Sequence, residues 1–420
     1  MRLPALLIAG LSLMPQAAHA QVAVADSGDT AWMIFCALMI LLAGLPGLLL
    51  RHGGQAGARN VLTVMAQGLG IVAGVSLVWA ASGYSLAFAP GSGWLGGATN
   101  LMLGNLTALR EGLTVPESAF VLFQMMLALF AAGLLAGAVA QRARLGWFLF
   151  FAPLWALMVY APVAHWVWGG GWLAEHGTLD YAGALVLHVT AGFSALALAL
   201  VAGARTEPTG PHSPALALSG GALVWVGWAG IVGGWALGAT DDAAVAILNS
   251  HFAACAGALM WALLDRLLLR RVSASGFVSG ALAGLVTASA SAALIGAGGA
   301  MMAGVIGAIT CRVGAGVAKR WIDDPAYVFA IHGLGGVTGL LLLPALSHPL
   351  MGGVGIEGAG VATLLTGQVI GIVAVALWAL VGSAIAALIV AMVVPLRPSE
   401  QAEAQGLDAA EHGEQGWDFR

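Results

Sequence analysis

Residues 179–192 read LDYAGALVLHVTAG, and residues 323–336 read DDPAYVFAIHGLGG. Each stretch sets an aspartate eight positions before a histidine and a glycine four positions after it. The first holds Asp180, His188 and Gly192; the second holds Asp324, His332 and Gly336. Both histidines sit inside apolar runs, where a polar side chain is costly and faces a bundle interior or a cavity. A lone histidine there is best read as a helix–helix hydrogen bond. A matched pair points to a polar path through the bilayer.

The surrounding composition belongs to a polytopic membrane protein. Of 420 residues, 60% are hydrophobic and 8% charged, against about 25% charged in soluble domains. Mean hydropathy is +0.93. The 61 glycines suit close helix packing in lipid. No basic stripe suggests nucleic acid. Cys36, Cys255 and Cys311 lie in apolar runs and match no metal-ligand or disulfide spacing.

Eleven runs are apolar over the ~20 residues a membrane helix needs. They centre on 31–50, 60–82, 117–140, 145–168, 182–204, 213–237, 243–268, 277–296, 299–318, 327–346 and 366–396. Before them, Arg2, the stretch LPALLIAGLSLMP and the A-x-A pattern Ala18-His19-Ala20 predict a signal peptide over 1–20. Cleavage leaves the N-terminus outside, so an odd number of spans leaves the C-terminus in the cytoplasm. The positive-inside rule agrees. Arg51, Arg59, Arg142, Arg144, Arg205, Arg266, Arg270, Arg271, Arg312, Lys319, Arg320, Arg397 and Arg420 fall in expected cytoplasmic segments, thirteen of the 15 basic residues. Arg2 is in the signal peptide, and only Arg110 is on the other side. Expected outer loops carry Glu111, Glu117, Glu175, Asp180, Asp241, Asp242 and Glu357, either an acidic vestibule for a cation or loops free of the cytoplasmic bias.

The two D-x7-H-x3-G stretches open the fifth and tenth spans, five apart and therefore opposite in orientation. That is the pattern of a 5+5 inverted repeat, whose symmetry brings the histidines together at the midplane. Two neutral imidazoles share one hydrogen bond, which leaves a donor on one ring and an acceptor on the other. Of the remaining histidines, His165 ends the fourth span, His176, His212 and His348 are loop residues, and His412 is in the tail. His251 has no repeat partner and reads as structural.

With these residues in place, the chain resembles the ammonium transporter family (Amt/Mep/Rh), bacterial Amt type. The resemblance spans essentially the whole mature chain. It is carried by AHWVWGGGWLAEHGTLDYAGALVLHVTAG (164–192), VWVGWAGIVGG (224–234), DDPAYVFAIHGLGGVTG (323–339) and GLDAAEHGE (406–414). It implies an all-α fold of eleven transmembrane helices with the inverted repeat, assembled as a homotrimer with one pore per subunit. The transmembrane domain is then 21–396, and 397–420 resembles the family's cytoplasmic regulatory tail, a contact for a PII-type signal protein. The location implied is the inner (cytoplasmic) membrane. The partners implied are ammonium or ammonia and the lipid bilayer, with no cofactor, catalytic residue or metal site.

Carried over by position, His188 and His332 match the twin histidines. Trp168 matches the aromatic wall of the ammonium recruitment site, and Asp180 the buried acid beside it. Phe123 and Gln124 match pore-mouth residues, Trp228 the tryptophan flanking the gate, and Ser289 a threonine of the pore. Three positions depart. The family's stacked phenylalanine gate aligns with Leu127 and Ile231, and its recruitment serine with Trp235. Leucine and isoleucine still close a dry constriction, but they offer no ring face to a cation; Trp235 either supplies that face or plugs the vestibule. The implied mechanism recruits ammonium at Trp168, deprotonates it, and passes ammonia across the constriction and along the imidazoles. The substitutions also keep open an ammonium sensor or a gas channel for ammonia or carbon dioxide. An intramembrane hydrolase fits poorly: HExxH is absent, and Ser194 lies six residues from His188 on one helix.

Overall fold

The computed structural model describes residues 24–417 except 105, 207 and 357–359. The expected signal peptide and Glu357 therefore lie outside the described residues. Among the described residues ten helices are long and apolar enough to cross a membrane. We number the long helices α1 (Ser27–Gln55), α2 (Val61–Phe88), α3 (Glu117–Ala138), α4 (Leu145–Glu175, bent at 169–171), α5 (Ala184–Ala202), α6 (Pro214–Gly234), α7 (Asp241–Leu269), α8 (Ala274–Ser289), α9 (Ala297–Ala318), α10 (Phe329–Leu346) and α11 (Val361–Ala391). The shorter apolar α8 stands where the eighth of the eleven expected runs begins. Among the described residues the only departures from helix are loops and two isolated bridges, Gly91–Gly96 and Leu109–Pro116.

α8 stops at Ser289, where the sequence pattern continues to 296, because its last carbonyls find partners elsewhere. Ser289 O and Ala290 O accept from Ala182 N at 2.9 Å and Tyr181 N at 3.2 Å. A helix can end inside a membrane protein when other backbone takes up its orphan groups. The segment between Asp180 and α5 is thereby tied to α8.

α3 is the most enclosed helix, with 89% of its membrane-length stretch buried, and it touches α1, α2 and α5. α11 is the opposite. Leu365, Val369, Val373, Leu377, Val381, Ile385, Leu388 and Met392 form one exposed stripe along it. Spacings of three and four put these residues on one face, and an apolar stripe of that length faces lipid.

The first span runs further than its hydropathy suggested. α1 continues to Gln55 through a wide π turn at Ala43–Gly47 around Pro46. Arg51 and His52 are therefore buried helix residues, 5% and 4% exposed. Arg142 is likewise fully buried, and it donates to the Ala138 carbonyl at 3.0 Å and to the Asp323 carbonyl. Arg110, the outlier of the charge pattern, pairs with Glu117 at 3.2 Å and lies 4.5 Å over the Phe120 ring. Glu117 is buried in that pair, so it is not part of an exposed acidic vestibule.

Candidate functional site

The two halves repeat one local design. Asp180 accepts from Gly183 N at 3.0 Å and from Leu185 N and Val186 N at 2.9 Å, capping the start of α5. Asp324 accepts from Phe329 N at 2.8 Å, capping the start of α10. Each helix then opens with a π turn, Ala184–Val189 or Phe329–Leu334, which carries its histidine. Burial pushes the Asp180 carboxyl up to about 6, against the pull of its backbone donors. Asp180 is thus a buried cap that fixes the α5 entry. Its backbone carbonyl also accepts from Trp168 Nε1 at 3.0 Å, which positions that ring.

The histidines meet. His188 Nδ1 and His332 Nδ1 are 3.2 Å apart, and the rings are 5.1 Å centre to centre. One nitrogen donates and the other accepts, so each ring keeps Nε2 for a further partner. His188 Nε2 is buried with none.

Trp228 stacks on His188 at 5.0 Å and 17°, and its Nε1 donates to Ser289 Oγ at 3.1 Å. Ser289 in turn donates to the Leu285 carbonyl at 2.9 Å, which fixes its lone pair toward the tryptophan. Phe130 meets Trp228 edge-on at 5.8 Å, and Phe123 meets Trp235 edge-on at 5.8 Å. These two pairs set an antiparallel register between α3 and α6. Leu127 and Ile231 fall between them, one helical turn from each pair and on the same faces. Both are fully buried. The result is a column in order: Phe123 and Trp235, then Leu127 and Ile231, then Phe130 and Trp228, then the histidines.

At the column's open end Trp168 and Trp235 lie 4.1 Å apart, tilted by 46°. Trp235 covers a face of Trp168, and its Nε1 is buried without a partner. Gln124 does not stand at an open mouth: it is fully buried, and both its amide oxygen and nitrogen lack partners. Ser194, weighed as a nucleophile, is held in a buried network with Trp155 at 2.9 Å and Ser383 at 2.7 Å.

The sequence reading passed over Phe130, His52 and Arg51. Phe130 lies three positions past Leu127 on the same helical face, a signal that was available. His52 and Arg51 were hidden as the charged end of a hydrophobic run, and both are buried.

A polytopic helical membrane protein with a buried, uncharged polar centre below an aromatic mouth is a transport or channel scaffold in class. Residues 31–417 match the model of the Ammonium Transporter Family, and the chain belongs to that family. It is 37% identical over 398 residues to an ammonium transporter of Bacillus subtilis (strain 168), covering 93% of this chain and 98% of that one. Among solved structures it superposes on a "Sensor Amt Protein" with TM-score 0.86 at 28% identity, over 92% of this chain and 98% of that one. Candida albicans Mep2 gives TM-score 0.83 at 31% identity, over 90% and 87%.

Proposed function

We propose that the protein carries ammonium, as ammonia, across the cytoplasmic membrane along the column. The observation that carries this reading is the His188–His332 contact at 3.2 Å, at the foot of an aromatic and aliphatic constriction. Ammonium binds at the Trp168/Trp235 pair, where ring faces offset part of its lost hydration. It gives up its proton there to water on the outer side, and ammonia crosses the Leu127/Ile231 layer. The imidazoles supply the next donor and acceptor. Potassium has no proton to give and is refused.

The tail face is assigned to the cytoplasm, because most basic residues belong to it. Arg59, Arg144 and Arg397 all contact the C-terminal segment. We assign residues 1–20 to a cleaved signal peptide, 21–396 to the transmembrane domain and 397–420 to a regulatory tail open to a PII-type protein. We also propose a homotrimer, on the family resemblance. We assign no enzymatic activity.

A sensor that binds ammonium and passes little is a second reading, favoured by Trp235 lying over Trp168 and by the likeness to a solved structure titled a sensor. Purified protein in liposomes decides between the two. Transport requires an ammonium-evoked current or ammonia influx; tight ammonium binding with neither supports the sensor and ends the transport reading.

A further inference from the structure

Beyond the twin histidines the structure holds a cation with no counter-charge among the described residues. Arg51 is 5% exposed, and its Nη2 is buried without a hydrogen-bond partner. No carboxylate among the described residues pairs with it. The nearby acids are engaged. Asp323 sits between Arg205 at 2.8 Å and Arg142 at 3.7 Å. Asp324 gives one oxygen to the α10 cap and keeps Oδ1 buried without a partner, and burial pushes its carboxyl above the usual range, toward the neutral form. A guanidinium withdrawn from water without a partner is strongly destabilising, and it cannot shed its proton.

Arg51 lines a cavity of ≈ 290 Å³ together with Gln55, Arg205, Thr209, Ser279 and Tyr327. The Gln55 Oε1 is itself buried without a partner. Tyr327 and Pro325 border the cavity and begin the segment that runs to His332. The cavity therefore lies at the tail-side end of the column. Its volume is at the small end of the ~300–1,000 Å³ typical of ligand pockets, which excludes a nucleotide.

We propose that this cavity binds a small oxyanion of the phosphate or sulfate class. The Arg51 guanidinium matches two oxygens of such an ion in parallel, and Ser279 and Gln55 offer a hydroxyl and an amide as further donors. Two arginines, Arg51 and Arg205, line the cavity, and no carboxylate among the described residues does; Arg205 is paired with Asp323, so Arg51 is the charge left for an anion to meet. Bound there, it places a negative counter-charge where the transported species leaves the column.

The test is a titration of full-length protein with inorganic phosphate, read by thermal unfolding and calorimetry, and it does not depend on transport. Wild type is expected to gain melting temperature with phosphate. Arg51→Gln should bind about tenfold more weakly or worse, as loss of a charged hydrogen-bond donor predicts. Arg51→Lys, which keeps the charge but loses the fork, should fall between, and Ser279→Ala should weaken binding. These last two carry the test if Arg51→Gln does not fold. Arg271→Gln, at an exposed arginine, should match wild type. Equal responses in wild type and all three cavity variants overturn the site, as does an Arg271→Gln loss as large as that of Arg51→Gln. Repeating the titration in nanodiscs separates the sources. An anionic lipid that abolishes the phosphate response in an Arg51-dependent way supports an oxyanion drawn from a lipid headgroup, whereas persistence of the response supports a free ion.

Discussion

A Cβ on Gly192 would fall 2.1 Å from the Gly333 nitrogen, and one on Gly336 would fall 2.6 Å from the Ala184 carbonyl. The glycine of each repeat is thus the point where one half crosses the backbone of the other, beside the other half's π turn. Each D-x7-H-x3-G unit divides its labour: the acid caps the helix, the histidine meets its twin, and the glycine lets the helices approach. Gly192→Ala has backbone against it, not a flexible side chain, so it should cost ~1–3 kcal/mol or more by overpacking. A lower melting temperature in detergent checks this, and unchanged stability would remove the close-crossing account. His188→Ala leaves the helices able to cross but deletes the shared hydrogen bond and the Trp228 stack. Its expected signature is at least a roughly tenfold fall in ammonium-driven flux, the scale of one lost hydrogen bond to a charged or reacting species, or a new potassium current. Restoring Phe at 127 and 231 tests the gate from the other direction. If the aliphatic layer weakens cation binding, L127F/I231F should lower the concentration of ammonium giving half-maximal response.

Elements explain why some of this was legible beforehand. The spans, the 5+5 repeat and the histidine pair were readable because hydropathy, charge bias and spacing are local or periodic signals. Phe123, Leu127, Trp228, Ile231 and Trp235 could be placed one by one, yet their stacking order follows from the α3/α6 register, which is a tertiary fact. α8 shows the limit more sharply. Its apolar pattern runs on past Ser289, and only the Tyr181 and Ala182 amides of a distant segment explain the stop. Arg51 and Arg142 look like loop charges in sequence, because burial of a charge is decided by neighbours the sequence does not show. The Asp180 cap holds three backbone donors at the α5 entry and indirectly the Trp168 ring. Asp180→Ala should therefore lower stability by roughly 1–2 kcal/mol, as for a lost helix cap. It should also weaken ammonium binding, because a loosened α5 entry shifts the residue-180 carbonyl that anchors Trp168. Loss of stability with unchanged binding would separate the cap from the aromatic mouth.

At the scale of the molecule, one face is held together by charges and is accordingly sensitive to acid. Burial works against ionisation of Asp323, but hydrogen bonds from Arg205 and the Arg205 and Arg142 charges win and hold its carboxyl below the usual range. A carboxylate whose folded value is depressed contributes stability in full above the unfolded value, near 3.9, and loses it as pH falls through the folded one. Below about pH 4 the loop at 203–206 should loosen, and Arg205→Gln should flatten that part of the stability–pH curve. The same face carries the C-terminal segment, whose acids each take a different partner. Asp408 accepts from Thr63 N at 2.8 Å, Thr63 Oγ at 2.9 Å and Leu62 N at 3.1 Å, at the start of α2. Glu411 accepts from Arg144 Nε at 2.7 Å and Leu145 N at 3.1 Å, at the start of α4. Glu403 accepts from Thr206 N at 2.8 Å and Arg397 at 2.5 Å. The tail therefore straps three parts of the bundle: two helix N-termini, where negative charge is favoured, and the loop at 203–206. Asp408→Ala or Glu411→Ala alone should cost ~1 kcal/mol, the ordinary worth of a cap. If the strap docks as a unit, the first substitution already releases much of what the second would remove. The double variant should then lose less than the sum of the singles, by roughly 0.5 kcal/mol or more, the scale of coupling between residues that share one structural element. Denaturant or thermal melts of the four proteins complete the cycle. Strict additivity would mean that the two caps act independently and that the tail is not a single strap.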